Sequence, residues 1–127
     1  MPEEKKATIL LIEDDPTLVE MYSMKFKESG YSVVTSMKGA EGLEIAKKGE
    51  FDILLLDIIL PEIDGFAILE TLRKNEPTKK KPIIMLSNLG QDTDLEKGKK
   101  LGATDYFVKA DFTPTEILKK VEEVLKK

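Results

Sequence analysis

Five residues of this sequence have types and spacing that could do chemistry together: Glu13, Asp14, Asp57, Ser87 and Lys109. Each stands at the end of a short, mostly apolar run. Glu13 and Asp14 follow Ile9-Leu10-Leu11-Ile12, Asp57 follows Ile53-Leu54-Leu55-Leu56, and Ser87 follows Ile83-Ile84-Met85-Leu86. Lys109 closes the more polar run Asp105-Tyr106-Phe107-Val108. If these runs are parallel strands, the five side chains converge on one crevice. Two carboxylates about 5 Å apart repel by roughly 3 kcal/mol at an effective dielectric near 20, so three of them need compensation. Lys109 supplies one positive charge and leaves a formal −2, which a divalent cation would cancel. An all-oxygen donor set points to a hard ion, Mg²⁺ before Ca²⁺, and without histidine or cysteine zinc lacks its preferred ligands.

Taken singly, each residue has a plainer explanation. An acid after a strand is ordinarily a helix cap or turn residue, and Asp15, directly before Pro16, is assigned that role and left out of the site. Ser87 alone would be a turn hydroxyl and Lys109 a surface lysine. Their arrival together at successive strand ends is what carries the inference.

The elements that must position these residues alternate five times. Continuous apolar runs of four suggest strands covered on both faces, as in a parallel α/β sheet. The runs Tyr31-Ser32-Val33-Val34 and Asp105-Tyr106-Phe107-Val108 are more polar and are predicted at the sheet edges. Between the runs lie helical patterns. Pro16 opens one that presents Leu18, Val19, Tyr22 and Phe26 and stops at Gly30. Others run from Gly39 to Lys48 and from Gly65 to Asn75. Thr113 caps a last helix opening at Pro114, with Ile117, Leu118, Val121 and Leu125 on one face. The pattern between Asp92 and Lys100 is the poorest, with Leu95 and Leu101 as its anchors, and predicts the least stable helix. Strict β-α alternation implies an open parallel sheet with helices on both faces, and ligands in such sheets bind outside the carboxyl ends of the strands.

Composition narrows the function. At 127 residues, 41% hydrophobic and 35% charged, the chain is expected to be a single globular domain. With no histidine there is no Ser-His or Cys-His pair and no phosphohistidine on this chain. With no cysteine there is no thiolate nucleophile or disulfide, which fits a reducing, cytoplasmic setting. A net charge of −4 with dispersed lysines argues against direct nucleic-acid binding. The short basic turn Lys79-Lys80-Lys81 is expected to be merely solvated. The apolar runs are too short to span a membrane, and MPEEKKAT lacks the apolar stretch of a signal peptide.

Ile9-Leu10-Leu11-Ile12-Glu13-Asp14-Asp15-Pro16 resembles the opening of a response-regulator receiver domain. The segment Asp52 to Gly65, with Asp57, Leu60-Pro61 and Asp64-Gly65, resembles that family's phosphoacceptor segment. Pro82 to Ser87, Gly102-Ala103-Thr104-Asp105-Tyr106 and Val108-Lys109 are similar to its later landmarks, so the likeness covers nearly the whole chain in order. It implies a flavodoxin-like, doubly wound fold: five parallel strands in the order 2-1-3-4-5 with five helices, residues 1–127 forming one receiver domain with no output domain. It implies a phosphorelay switch that catalyses its own phosphorylation and dephosphorylation without being a conventional enzyme. Asp57 would accept a phosphoryl group from a histidine kinase's phosphohistidine. Asp14, Asp57 and the backbone carbonyl of Ile59 would bind Mg²⁺, Glu13 acting through water. Lys109 and Ser87 would contact the phosphoryl group, and Tyr106 would turn inward as Ser87 moves, altering the face formed by the fourth helix, last strand and last helix. The implied partners are a sensor histidine kinase or phosphotransfer protein and a downstream effector protein, with a phosphorylation-dependent homodimer left open.

Three positions depart from the pattern. Ala110 stands where the family usually has a proline after a cis peptide bond. Asn88 replaces a smaller residue after Ser87 and is expected to slow access by small phosphodonors. Ile59 and Leu89, two residues beyond Asp57 and Ser87, are apolar and predict slow self-dephosphorylation. A haloacid-dehalogenase-type phosphatase would need a second aspartate where Ile59 stands. A nucleotide binder would need a Gly/Ser/Thr-rich phosphate loop after the first strand, where Glu13-Asp14-Asp15 would repel a phosphate. The remaining alternative is an unphosphorylated pseudo-receiver acting only as a protein-interaction module.

Overall fold

The short apolar runs become the strands of one parallel sheet in a computed structural model that describes residues 6–88 and 92–126. These are β1 (Thr8–Ile12), β2 (Ser32–Ser36), β3 (Ile53–Asp57), β4 (Ile83–Ser87) and β5 (Asp105–Val108), paired in the order β2-β1-β3-β4-β5. They alternate with α1 (Pro16–Glu28), α2 (Gly39–Lys47), α3 (Gly65–Arg73), α4 (Asp92–Leu101) and α5 (Pro114–Leu125). The order reverses between β1 and β3, whose registers pair Ile12 with Leu56, while Asp57 stands opposite Leu86 and Ser87 opposite Val108. The connections after β1 and β3 therefore leave toward opposite ends of the sheet, and a crevice opens between them at the carboxyl rim.

Burial on both faces explains why the central runs are continuous. Leu10, Ile12, Leu54, Leu56, Ile83 and Met85 face one way and pack with Ala46 of α2 and Phe66, Ile68, Leu69 and Leu72 of α3. Ile9, Leu11, Ile53, Leu55, Ile84 and Leu86 face the other, against Tyr22 and Phe26 of α1 and Ile117, Leu118 and Val121 of α5. The period of two thus sends alternate residues into two cores. On the edge strand β2, Val34 is 42% exposed. That strand also lies one to two residues later than the apolar pattern predicts: Tyr31 precedes it, its hydroxyl donating to Glu122 at 2.8 Å, and polar Thr35 and Ser36 complete it.

The helix starts are built as the sequence suggests. Asp15 accepts from the N–H groups of Thr17 (2.9 Å) and Leu18 (3.4 Å), Asp64 accepts from Ala67 N–H (3.0 Å), and Thr113 and Glu116 form a reciprocal capping box. The Lys79-Lys80-Lys81 turn is not merely solvated. Arg73 donates to the carbonyls of Thr78 (3.1 Å), Lys79 (3.4 Å) and Lys81 (2.7 Å), and also to Gly102 (2.8 Å). Lys81 in addition places its ammonium over the Phe51 ring.

Candidate functional site

Glu13 follows β1 directly and is fully buried; Asp14 beside it is exposed. Asp57, the last residue of β3, is 3% exposed. Each of the three offers a carboxylate oxygen within 4.8 Å of the others. Lys109 follows β5 and opens a 3-10 turn, Lys109–Asp111, and its side chain is only 7% exposed. Its ammonium stands 2.5 Å from Glu13 Oε1 and 3.2 Å from Asp57 Oδ1. No cis peptide bond occurs among the described residues, so Ala110 is joined in trans and Lys109 still reaches the acids. The other oxygen of Glu13 accepts the Asp15 N–H at 3.1 Å, fixing the carboxylate from its own loop.

This crowding is visible in the protonation equilibria. Burial, and then the charge of Glu13, push the Asp57 carboxyl up from the usual 3.8 to about 7, with Lys109 pulling the other way. Burial disfavours the Lys109 ammonium, but its contacts with Glu13 and Asp57 outweigh that and hold it above the ordinary lysine value. One cation against three carboxylates leaves a formal −2 in a site whose donors are all oxygen. The residues present therefore fit a Mg²⁺ ion, through Asp14 and Asp57 with Glu13 behind them.

Ser87, at the end of β4, is 5% exposed, and its hydroxyl hydrogen-bonds that of Tyr106 on the neighbouring β5. The Tyr106 side chain thus lies toward Ser87 and packs against the core on that face of the sheet. Ile59 is 65% exposed beyond Asp57, and Asn88 is exposed; Leu89 lies outside the described residues. Among the expected site residues, Glu13, Asp14, Asp57 and Lys109 are thus brought together, with Ser87 and Tyr106 joined to each other at adjacent strands.

Gly65, read from the sequence only as a helix start and the close of a loop, holds the end of β3 in place. Gly65 opens α3 and donates its N–H to the Ile58 carbonyl at 2.7 Å. A Cβ at this position would overlap the Asp57 carbonyl oxygen and crowd the Ile58 Cα. Gly65→Ala is therefore expected to push back the backbone that carries Asp57 and to lower stability by about 2–3 kcal/mol. A urea unfolding midpoint within error of wild type would contradict this. The Asp64-Gly65 pair was the available signal: a cap followed by a residue without Cβ, in a loop returning from a strand end.

Comparison with known proteins agrees with this geometry. Residues 9–122 match the response regulator receiver domain family. Among curated relatives, the DNA-binding dual master transcriptional regulator RpaA of Synechocystis is 36% identical over 94% of this chain, which covers 49% of RpaA. The chain thus spans about half the length of that relative. Among solved structures, a putative response regulator from Chloroflexus aurantiacus superposes with TM-score 0.88 at 34% identity, covering 97% of this chain and 100% of that one. The chemotaxis protein CheY4 of Vibrio cholerae gives TM-score 0.86 at 32% identity, covering 93% and 98%.

Proposed function

Because this chain belongs to the response regulator receiver domain family, we propose that it is a Mg²⁺-dependent switch phosphorylated on Asp57. The observation that carries the proposal is the Lys109 ammonium lodged between Glu13 and Asp57, beside a third carboxylate. Asp57 is the nucleophile. A carboxylate oxygen attacks the phosphorus of a phosphohistidine, the P–N bond breaks, the ring nitrogen keeps the electron pair, and an acyl phosphate remains. Lys109 already faces the Asp57 oxygen, so its charge is in place to stabilise the transferred group without reorganisation. Asp14, Asp57 and the carbonyl of Ile59 would hold Mg²⁺, with Glu13 acting through water, and the ion would neutralise phosphoryl oxygens. The Ser87 hydroxyl donates to a phosphoryl oxygen, and Tyr106 reports that contact to the face of α4, β5 and α5.

The partners that follow are a histidine kinase or phosphotransfer protein upstream and an effector protein downstream, with a phosphorylation-dependent homodimer as one mode of output. Direct contact with nucleic acid is not assigned to residues 1–127, a single receiver domain in this proposal; DNA binding is stated in the name of RpaA for that protein. No helix among the described residues is long and apolar enough to cross a membrane, and a cytoplasmic location accords with a kinase partner.

The testing experiment is intact mass after incubation with acetyl phosphate, with Mg²⁺ or with EDTA. Gain of one phosphoryl group only with Mg²⁺ is expected; equal gain in EDTA would remove the metal from the proposal. Self-dephosphorylation is expected to be slow, because Ile59 offers no group to orient an attacking water. An acyl-phosphate half-life of seconds at neutral pH would contradict this, and Ile59→Asn is expected to shorten the lifetime several-fold.

A further inference from the structure

α4 carries a glycine that its backbone does not require. Gly98 lies in the middle of Asp92–Leu101, is buried, and is not among the residues with positive φ. A glycine inside a helix weakens it relative to alanine, so its presence invites a reason in packing. The neighbours supply one. A Cβ built at Gly98 would meet Tyr106 Cδ2 at 3.4 Å, Ala103 Cβ at 3.8 Å and Met85 Cγ at 3.9 Å. A methyl group would touch the ring at ordinary van der Waals distance, and anything longer would enter the space the ring fills. Met85 and Tyr106 are paired across β4 and β5, so the ring sits between α4 and the strand that ends in Ser87.

We propose that Gly98 is a positioning residue for Tyr106: by carrying no side chain it keeps open the seat in which the ring rests beneath α4, on the side of the sheet where β4 ends in Ser87. From that seat the Tyr106 hydroxyl reaches Ser87. A serine hydroxyl has one proton to give and two lone pairs to accept with, so a Ser87 that donates to a phosphoryl oxygen keeps the tyrosine contact by accepting from the Tyr106 hydroxyl instead. Phosphorylation then turns the serine proton toward the phosphoryl oxygen and draws the tyrosine hydroxyl into the same chain. Its functional weight rests on the switch role proposed above for Ser87 and Tyr106; the seat itself does not.

The test is nuclear Overhauser spectroscopy of the full chain without phosphodonor, paired with the acetyl phosphate assay. Wild type is expected to show cross-peaks from the Tyr106 ring to a Gly98 Hα and to Met85. Gly98→Ala should keep the Met85 cross-peak and slow amide exchange in α4 several-fold. Gly98→Leu should lose it while the amide spectrum of β1 and β3 stays unchanged. If Gly98→Leu does not fold, wild type and Gly98→Ala still decide the matter. Absence of the wild-type cross-peaks, their survival in a folded Gly98→Leu, or loss of the Met85 cross-peak in Gly98→Ala would overturn the seat. Failure of wild type to gain a phosphoryl group while the cross-peaks are present would sink the switch role and leave the seat standing.

Discussion

Asp57→Asn is expected to leave the protein unable to take up a phosphoryl group: after acetyl phosphate and Mg²⁺, wild type gains the mass of one such group and the variant gains none. The substitution preserves shape, so it removes the proposed nucleophile while leaving the packing around it in place. An amide oxygen has neither the charge nor the basicity to displace a leaving group from phosphorus, and the variant also removes one of the proposed ion ligands. Neither remaining acid is placed to substitute. Glu13 is fully buried, tied to Lys109 and to the Asp15 N–H. Asp14 is exposed and has no ion pair with Lys109 among those described. Phosphorylation of the variant to the wild-type extent would mean that another residue is the acceptor.

The second large effect is on stability in the absence of metal. Asp57 binds its proton with a value of about 7 in the folded chain against 3.8 for an ordinary aspartate. Between those two pH values the native state therefore holds more protons than the unfolded state, and stability falls as pH rises. The loss is complete above about pH 7 and amounts to roughly 2–4 kcal/mol. For a domain of this size that is on the order of 10 °C in Tm. A thermal melt series in EDTA from pH 4 to pH 8 would show the decline, after allowance for the general effect of acid on the other carboxylates. Asp57→Asn removes the titrating group, so its melting temperature in EDTA should exceed that of wild type at pH 8. Mg²⁺ held as proposed, by the ionised folded site alone, should raise the wild-type stability at pH 8, by about 2.7 kcal/mol at a hundredfold excess over Kd. A metal-free wild type at least as stable as Asp57→Asn at pH 8 would show that burial does not burden the carboxylate in this way.

Much of this arrangement was legible because the central strands are covered on both faces. Three runs of four apolar residues, each ending at a polar residue, announce both the sheet and the rim. Lys109 could be placed because it terminates a run in the same manner. Edge strand β2 was harder: Thr35 and Ser36 pair with β1 but look like loop, since an edge has one free side to hydrate. What the sequence did not disclose depends on contacts between distant segments. Arg73 reads as the basic end of an amphipathic helix, yet its partner Gly102 is 29 residues away. Gly98 reads as a flaw in a weak helix until Tyr106 is seen beside it. The state of Tyr106 is likewise a matter of packing between α4 and β5, which periodicity cannot convey.

Arg73 has one more consequence. Its guanidinium binds the chain just before β4, at Thr78, Lys79 and Lys81, and the chain before β5, at Gly102. Those two strands deliver Ser87 and Lys109 at their opposite ends. Charge-assisted bonds to backbone carbonyls are among the stronger polar contacts available to a surface, so this corner ties the starts of the two strands together. With the chain after its carboxyl end held in this way, α4 is expected to have its freedom at the opposite end, toward Asp92.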